Sequence, residues 1–183
     1  MDSRAHLISL LATRSARRGS FTLASGRQSD LYIDCRPTTM HPEGLATIGP
    51  LGLRAIAERG WTPQSVGGLT LGADPVSYAI SYASQLAGTP LRAFTVRKEA
   101  KTHGTGKVIE GAFESGDRVV VVEDVITTGG SALRAVDSVR AAGGLVVGVF
   151  AVVDRCEGGR DALEAAGLEV ATLVTAAEIV AQM

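Results

Sequence analysis

The chain has 183 residues, enough for one domain to bury a real core, and is 45% hydrophobic but only 4% aromatic, with 22 glycines. A formal net charge of -1 excludes a broad electrostatic attraction to nucleic acid or to an anionic membrane, so any anion site must be local. The two cysteines, Cys35 and Cys156, lie far apart without C-x-x-C or metal-ligand spacing and read as free thiols in a reducing compartment.

The opening MDSRAHLISLLATRSARRGS has basic residues after a short apolar run, the reverse of a secretory signal, and no run approaches membrane-spanning length; a cytoplasmic location is expected. Residues 3 to 18 place Leu7, Ile8, Leu10 and Leu11 on one helical stripe, with Arg14, Arg17 and Arg18 at the end where cations suit the helix dipole. SFTLASGRQSDLYIDCR reads as two short extended segments around Gly26, and PEGLATIGPLGLRAIAERG as a helix that stops at Gly60. Strand and helix signals then alternate. SVGGLTL precedes DPVSYAISYASQLAG; LRAFTVR leads into a polar stretch from Lys98 to Glu110; DRVVVVED precedes GSALRAVDSVRAAGG; LVVGVFAVVD precedes GRDALEAAG; LEVATLV comes last. Four or five buried strands with intervening helices predict an α/β fold, an open, mostly parallel sheet flanked by helices. Residues 98 to 110 are the one long break, and a loop of that length inside a compact domain is usually functional or mobile.

Ligands of open α/β sheets bind beyond the carboxyl ends of the strands, and VVVVEDVITTGGSALRAV places Glu123 and Asp124 at such an end. Thr127, Thr128, Gly129, Gly130 and Ser131 then lead into a helix N-terminus, where free backbone N–H groups and the dipole favour a phosphate. Two acids beside a bare phosphate would repel it, so sugar hydroxyls are their natural partners, and together the two features describe a ribose 5-phosphate site. The competing reading of the turn alone is an ordinary capped helix. Unpaired buried carboxylates are costly without a ligand, which favours the functional reading. The pattern is neither G-x-G-x-x-G nor G-x-x-x-x-G-K-[ST], so a dinucleotide fold and a P-loop are not supported.

RKEAKTHGTGKVIEG gathers Arg97, Lys98, Lys101, His103 and Lys107 after a strand of the same sheet. A charge run is ordinarily a solvated hairpin. At this edge of the sheet it can instead fold over the ligand, neutralise charge on a departing polyphosphate and exclude water. Arg155, in VVDRCEG, reads in isolation as a surface arginine.

Taken together, these segments resemble the orotate phosphoribosyltransferase family, within the type I phosphoribosyltransferases. VVVVEDVITTGGSA resembles the phosphoribosyl-pyrophosphate (PRPP) motif of the type I enzymes and RKEAKTHGTGKVIEG the catalytic loop of the orotate enzymes. FTLASGRQSDLYIDCR is similar to their N-terminal segment and VGGLTLGADPV to their pyrophosphate-side loop, so the likeness spans nearly the whole chain in order.

The resemblance implies a single domain over residues 1–183, with a helix and small hood at 1–40 and a mobile catalytic loop at 97–111. It implies transfer of ribose 5-phosphate from PRPP to orotate, giving orotidine 5'-monophosphate and pyrophosphate, with Mg²⁺, in de novo pyrimidine synthesis. By the same resemblance Arg97, Lys98, Lys101 and His103 bind the pyrophosphate, with Lys101 foremost in catalysis. Glu123 and catalytic Asp124 hold the ribose, Val125, Ile126, Thr127, Thr128, Gly129, Gly130 and Ser131 the 5-phosphate, and Thr127 and Arg155 the orotate. Mg²⁺ is held mainly by PRPP and water rather than by direct protein ligands, and the enzyme is a homodimer with shared sites. Two departures stand out: Ala24 replaces a lysine found in many relatives, with Arg27 a candidate substitute, and the pyrophosphate-side loop reads Leu71, Gly72, Ala73, Asp74 where some relatives have Tyr and Lys. A phosphoribosyltransferase for another base should lack the lysine pattern and Arg155, while a PRPP-sensing regulator that binds RNA should carry a basic face.

Overall fold

The computed structural model describes residues 3–22, 28–98 and 108–183. The described elements run α1 (Ser3–Arg14), β1 (Ala16–Thr22), β2 (Gln28–Ile33), α2 (Arg36–Thr39), α3 (Pro42–Glu58), β3 (Ser65–Leu69), α4 (Ala73–Leu86) and β4 (Arg92–Val96). They continue with β5 (Ile109–Gly111), β6 (Arg118–Ile126), α5 (Gly130–Ala141), β7 (Leu145–Asp154), α6 (Gly159–Ala165), β8 (Val170–Thr175) and α7 (Ala176–Val180).

Six strands form the main sheet in the order β5-β4-β3-β6-β7-β8, parallel throughout except for β5, which runs antiparallel to β4. The valine run explains why β6 is central. Val119 and Val121 belong to one apolar cluster with Ala132, Val136 and Val139 of α5, while Val120 and Val122 belong to the other with Ile48 of α3 and Val76 and Ile80 of α4. A strand buried on both faces needs apolar residues at successive positions, and this one has them.

From β3 the chain moves outward to β4, then returns across β3 to β6 and moves outward the other way to β7 and β8. The strand order therefore reverses between β3 and β6. In open α/β sheets that reversal opens a crevice at the carboxyl ends of the two strands. The β1–β2 hairpin forms a separate antiparallel pair, joined to α1 by Ser15, whose N–H donates to Leu11 O and whose carbonyl accepts from Asp34 N–H (both 2.9 Å).

The alternation of strands and helices from Ser65 onward matches the sequence reading, with four differences in detail. The opening helix stops at Arg14, because Ala16, Arg17 and Arg18 pair with Ile33, Tyr32 and Leu31; only Arg14 sits in the helix's last turn. Part of the expected polar break is ordered by pairing, since Ile109, Glu110 and Gly111 add β5 to the sheet edge. The short helices α2 and α7 lie beyond the periodicity signal. A local signal for α7 exists nonetheless: Thr175 and Glu178 form a capping box, and Arg4 of α1 donates to Glu178 at 2.6 Å.

Candidate active site

A cleft of about 310 Å³ lies at the crevice between β3 and β6. Its walls are the chain from Tyr32 to Arg36, the turn from Leu69 to Gly72, Lys98, the acids Glu123 and Asp124, and Val125, Thr127 and Ser131. A smaller hollow of about 80 Å³ continues from Glu123 along Val125, Ile126, Thr127, Thr128, Gly129, Gly130, Ser131 and Ala132.

The small hollow has the construction of a phosphate cradle. Gly129 caps α5 with φ of 80°, a left-handed conformation that glycine adopts freely, and no side chain caps the helix. The first backbone N–H groups of α5 thus have no side-chain acceptor, and with the helix dipole they favour an anion.

The strand alternation separates the two acids. Glu123 is only 6% exposed and its Oε1 has no hydrogen-bond partner among the described residues. Burial, reinforced by the charge of Asp124 and partly opposed by Arg134, pushes its pKa up to about 8. Asp124 is raised mainly by burial, against hydrogen bonds from backbone N–H groups that favour its charged form; Val125 N–H donates to its Oδ1 at 2.9 Å. Gly72 presses directly on this carboxylate, and a Cβ there would collide with Asp124 Oδ1. The Thr70–Leu71 peptide in the same turn is cis.

The turn from Thr70 to Gly72 brings no cation, and its acid is already engaged: Asp74 accepts from Thr70 Oγ1 at 2.7 Å and from Thr95 Oγ1 at 2.8 Å. Lys98 lines the cleft. Arg97 does not; its Nη1 lies 3.7 Å from Glu110 Oε1 at the sheet edge. Lys101, His103 and Lys107 lie outside the described residues, as do Ala24, Gly26 and Arg27.

Arg155 follows β7 and is buried, not the surface residue that its isolated sequence context suggests. Its guanidinium pairs with Glu157 at 2.7 Å and its Nη2 reaches Ser29 Oγ at 3.4 Å and Leu31 O at 3.3 Å, beneath the β1–β2 hairpin. It is not among the residues lining the cleft, whereas Thr127 lines both hollows.

Sequence reasoning assigned no site role to Asp34, Cys35 and Arg36, which form one wall. Asp34 takes Arg36 in a two-point grip, Nε to Oδ1 and Nη2 to Oδ2, each 2.8 Å, and this grip holds the Asp34 carboxyl below the usual carboxylate range. Cys35 is fully buried, and burial pushes its thiol well up, reinforced by Asp124 and Asp34; with exposed Cys156 it is a free cysteine. Among the described residues no group of three or more His, Cys, Asp or Glu could hold a metal ion, and no helix is long and apolar enough to cross a membrane.

No protein-family model matches the chain. It is 46% identical over 175 residues to orotate phosphoribosyltransferase of Rhodopirellula baltica, covering 93% of this chain and 91% of that one. It is 48% identical over 176 residues to orotate phosphoribosyltransferase of Mycobacterium tuberculosis, covering 96% of each. The fold is similar to the crystal structure of the M. tuberculosis enzyme in complex with PRPP, with a TM-score of 0.80 at 41% identity over 98% of this chain and 92% of that one. On identity sustained over nearly the full length of these relatives, the chain belongs to the orotate phosphoribosyltransferase family.

Proposed function

We propose that the cleft transfers ribose 5-phosphate from PRPP to orotate, releasing pyrophosphate and giving orotidine 5'-monophosphate, as a cytoplasmic step of de novo pyrimidine synthesis. The observation that carries this reading is the junction of a helix start without a side-chain cap at Gly129 with a buried carboxyl at Glu123 whose Oε1 has no hydrogen-bond partner among the described residues, in one continuous hollow. A 5-phosphate on the N–H groups of residues Val125 to Ser131 leaves the ribose hydroxyls beside Glu123 and Asp124. A protonated Glu123 both donates and accepts there, which supplies the partner its buried oxygen lacks.

Departure of pyrophosphate from the anomeric carbon leaves an oxocarbenium-like centre, so catalysis consists of stabilising charge at both ends of the breaking bond. Asp124 faces the sugar end. Lys98, Lys101 and His103 serve the pyrophosphate end, with Lys101 the main catalytic cation, and Arg97 joins them in this reading by leaving Glu110 at the sheet edge; the orotate N–H is acidic enough to lose its proton to solvent, so the nitrogen attacks without a strong base. Thr127 borders the cleft where the base must lie. Arg155 takes the orotate in this reading, which requires its guanidinium to exchange Glu157 and the hairpin for the substrate's carboxylate or carbonyl oxygens. Mg²⁺, when bound, would neutralise diphosphate charge; a cleft whose described residues include three acids but no cluster able to cage a metal suits an ion held mostly by substrate oxygens and water, with Asp124 as an outer partner.

A homodimer is part of the proposal, together with a hood formed by the N-terminal segment. It is supported by an apolar groove of about 1010 Å³ between α3 and α4, flanked by Tyr78, Tyr82 and Leu86, whose exposures are 52%, 69% and 72%.

Incubation with orotate, PRPP and Mg²⁺ tests the reaction through loss of orotate absorbance. Turnover is expected, and turnover of hypoxanthine or adenine without orotate would contradict it. The same preparation is expected to sediment as a dimer; a monomer would remove the second copy from the reading. Lys101→Ala is expected to lower kcat by about a hundredfold or more while weakening PRPP binding far less. Equal kcat in variant and wild type would take Lys101 out of the mechanism.

Glu123 also predicts a pH dependence of stability. Its pKa of about 8 in the fold exceeds the ordinary 4.5, so the folded state holds the extra proton between these values. The stability linked to this proton is fully present below about 4.5 and is lost as pH rises through about 8. Glu123→Gln, neutral at every pH, should therefore gain on wild type in melting temperature from acid to alkaline pH, by at least about 3 °C over the range. A difference that stays constant with pH would contradict the buried, uncompensated carboxylate.

A further inference from the structure

PRPP carries anionic groups at opposite ends of its ribose, one phosphate on C5 and a diphosphate on C1. With the 5-phosphate on the α5 cradle, the diphosphate must lie toward the other part of the cleft, bounded by Tyr32 to Arg36 and by Leu69 to Gly72. Among the described residues lining the cleft, three are acids, Asp34, Glu123 and Asp124, and two are cations, Arg36 and Lys98. The turn itself supplies none, since Thr70 is engaged with Asp74 and Leu71 and Gly72 are uncharged.

We propose that Arg36, oriented by Asp34, is a binding residue for the diphosphate of PRPP and for the pyrophosphate product. The inference rests on the reading of the cleft as a PRPP site. A guanidinium has two edges that can each form a fork. Asp34 occupies the Nε–Nη2 edge, leaving the Nη1–Nη2 edge, whose Nη1 has no hydrogen-bond acceptor among the described residues. Arg36 borders the large cleft and the open hollow beside Leu71, but not the small hollow of the 5-phosphate cradle. Arg36 therefore stands at the diphosphate end, and the planar geometry of its remaining edge matches two non-bridging phosphate oxygens.

The simpler alternative is a solvated ion pair that only closes the corner between β2 and α2. Such a half-exposed pair contributes little to stability, so stability alone gives this arrangement little purpose. Asp34 is a positioning residue: it also accepts from Arg36 N–H at 3.1 Å, fixing the arginine's backbone as well as its side chain.

Calorimetric titration of wild type, Arg36→Gln, Arg36→Lys and Asp34→Asn with magnesium pyrophosphate tests the proposal, with orotidine 5'-monophosphate, which has no diphosphate, as the second ligand. Arg36→Gln is expected to weaken pyrophosphate by about tenfold or more and the nucleotide by less than about twofold. Arg36→Lys keeps the charge and loses the fork, and Asp34→Asn keeps the fork and loosens its orientation; both are expected to fall between. Unchanged pyrophosphate affinity in Arg36→Gln overturns the proposal. So does an equal loss for both ligands, which is the mark of a merely structural residue, and so does a wild type that binds no pyrophosphate. Binding is read without orotate turnover, so an inactive wild type that still binds pyrophosphate through Arg36 would contradict the reaction and leave this assignment standing.

Discussion

The register of β6 between β3 and β7 is the constraint on which the site depends. Val119, Val120 and Val121 lie beside Ser65, Val66 and Gly67 of β3, and the same strand continues past the end of that pairing beside β7 as far as Asp154. β6 therefore extends further than β3, and its last residues stand at the rim of the crevice. The alternation that sends Val119 and Val121 to one face and Val120 and Val122 to the other sends Glu123 and Asp124 apart as well. One acid meets the α5 side and the small hollow at its N-terminus, and the other meets Gly72 and the β3 turn.

This arrangement uses burial to give two adjacent carboxylates different characters. Glu123 lacks a partner for Oε1 and holds its proton to about pH 8, whereas backbone donors offset part of the burial effect at Asp124. Two full negative charges at the rim would oppose a substrate that is itself polyanionic. With one acid protonated, the rim can satisfy sugar hydroxyls while repelling phosphates less. The cleft's cations, Arg36 and Lys98, lie elsewhere, on the chain after β2 and after β4, with Arg36 already paired with Asp34 on its own wall.

The parts of the molecule legible in sequence are those encoded locally. A run of valines bounded by acids and a Thr/Gly/Ser turn specifies strand, rim and helix start within eighteen residues, and the structure has them at β6 and α5. The Asp34–Arg36 wall was not legible, because its place at the cleft follows from how β1 packs on α1 and α2 on α1 and α3, which no local pattern records. Arg155 shows the same limit in another form. Its position after β7 was readable, but its burial beneath Ser29 and Leu31 depends on residues more than a hundred positions away. The early end of α1 also has a non-local cause, since pairing with β2 claims Ala16 to Arg18. For α7 the Thr175–Glu178 box was a readable signal that the short apolar period concealed.

A crystal structure of this protein with PRPP and Mg²⁺ decides whether one hollow holds the ribose on Glu123 and Asp124 and the 5-phosphate on the turn into α5. Ribose hydroxyl oxygens are expected within hydrogen-bonding distance of both carboxylates, and the 5-phosphate on backbone N–H groups between Val125 and Ser131. A 5-phosphate bound away from that turn, or a ribose that touches neither acid, would contradict this arrangement.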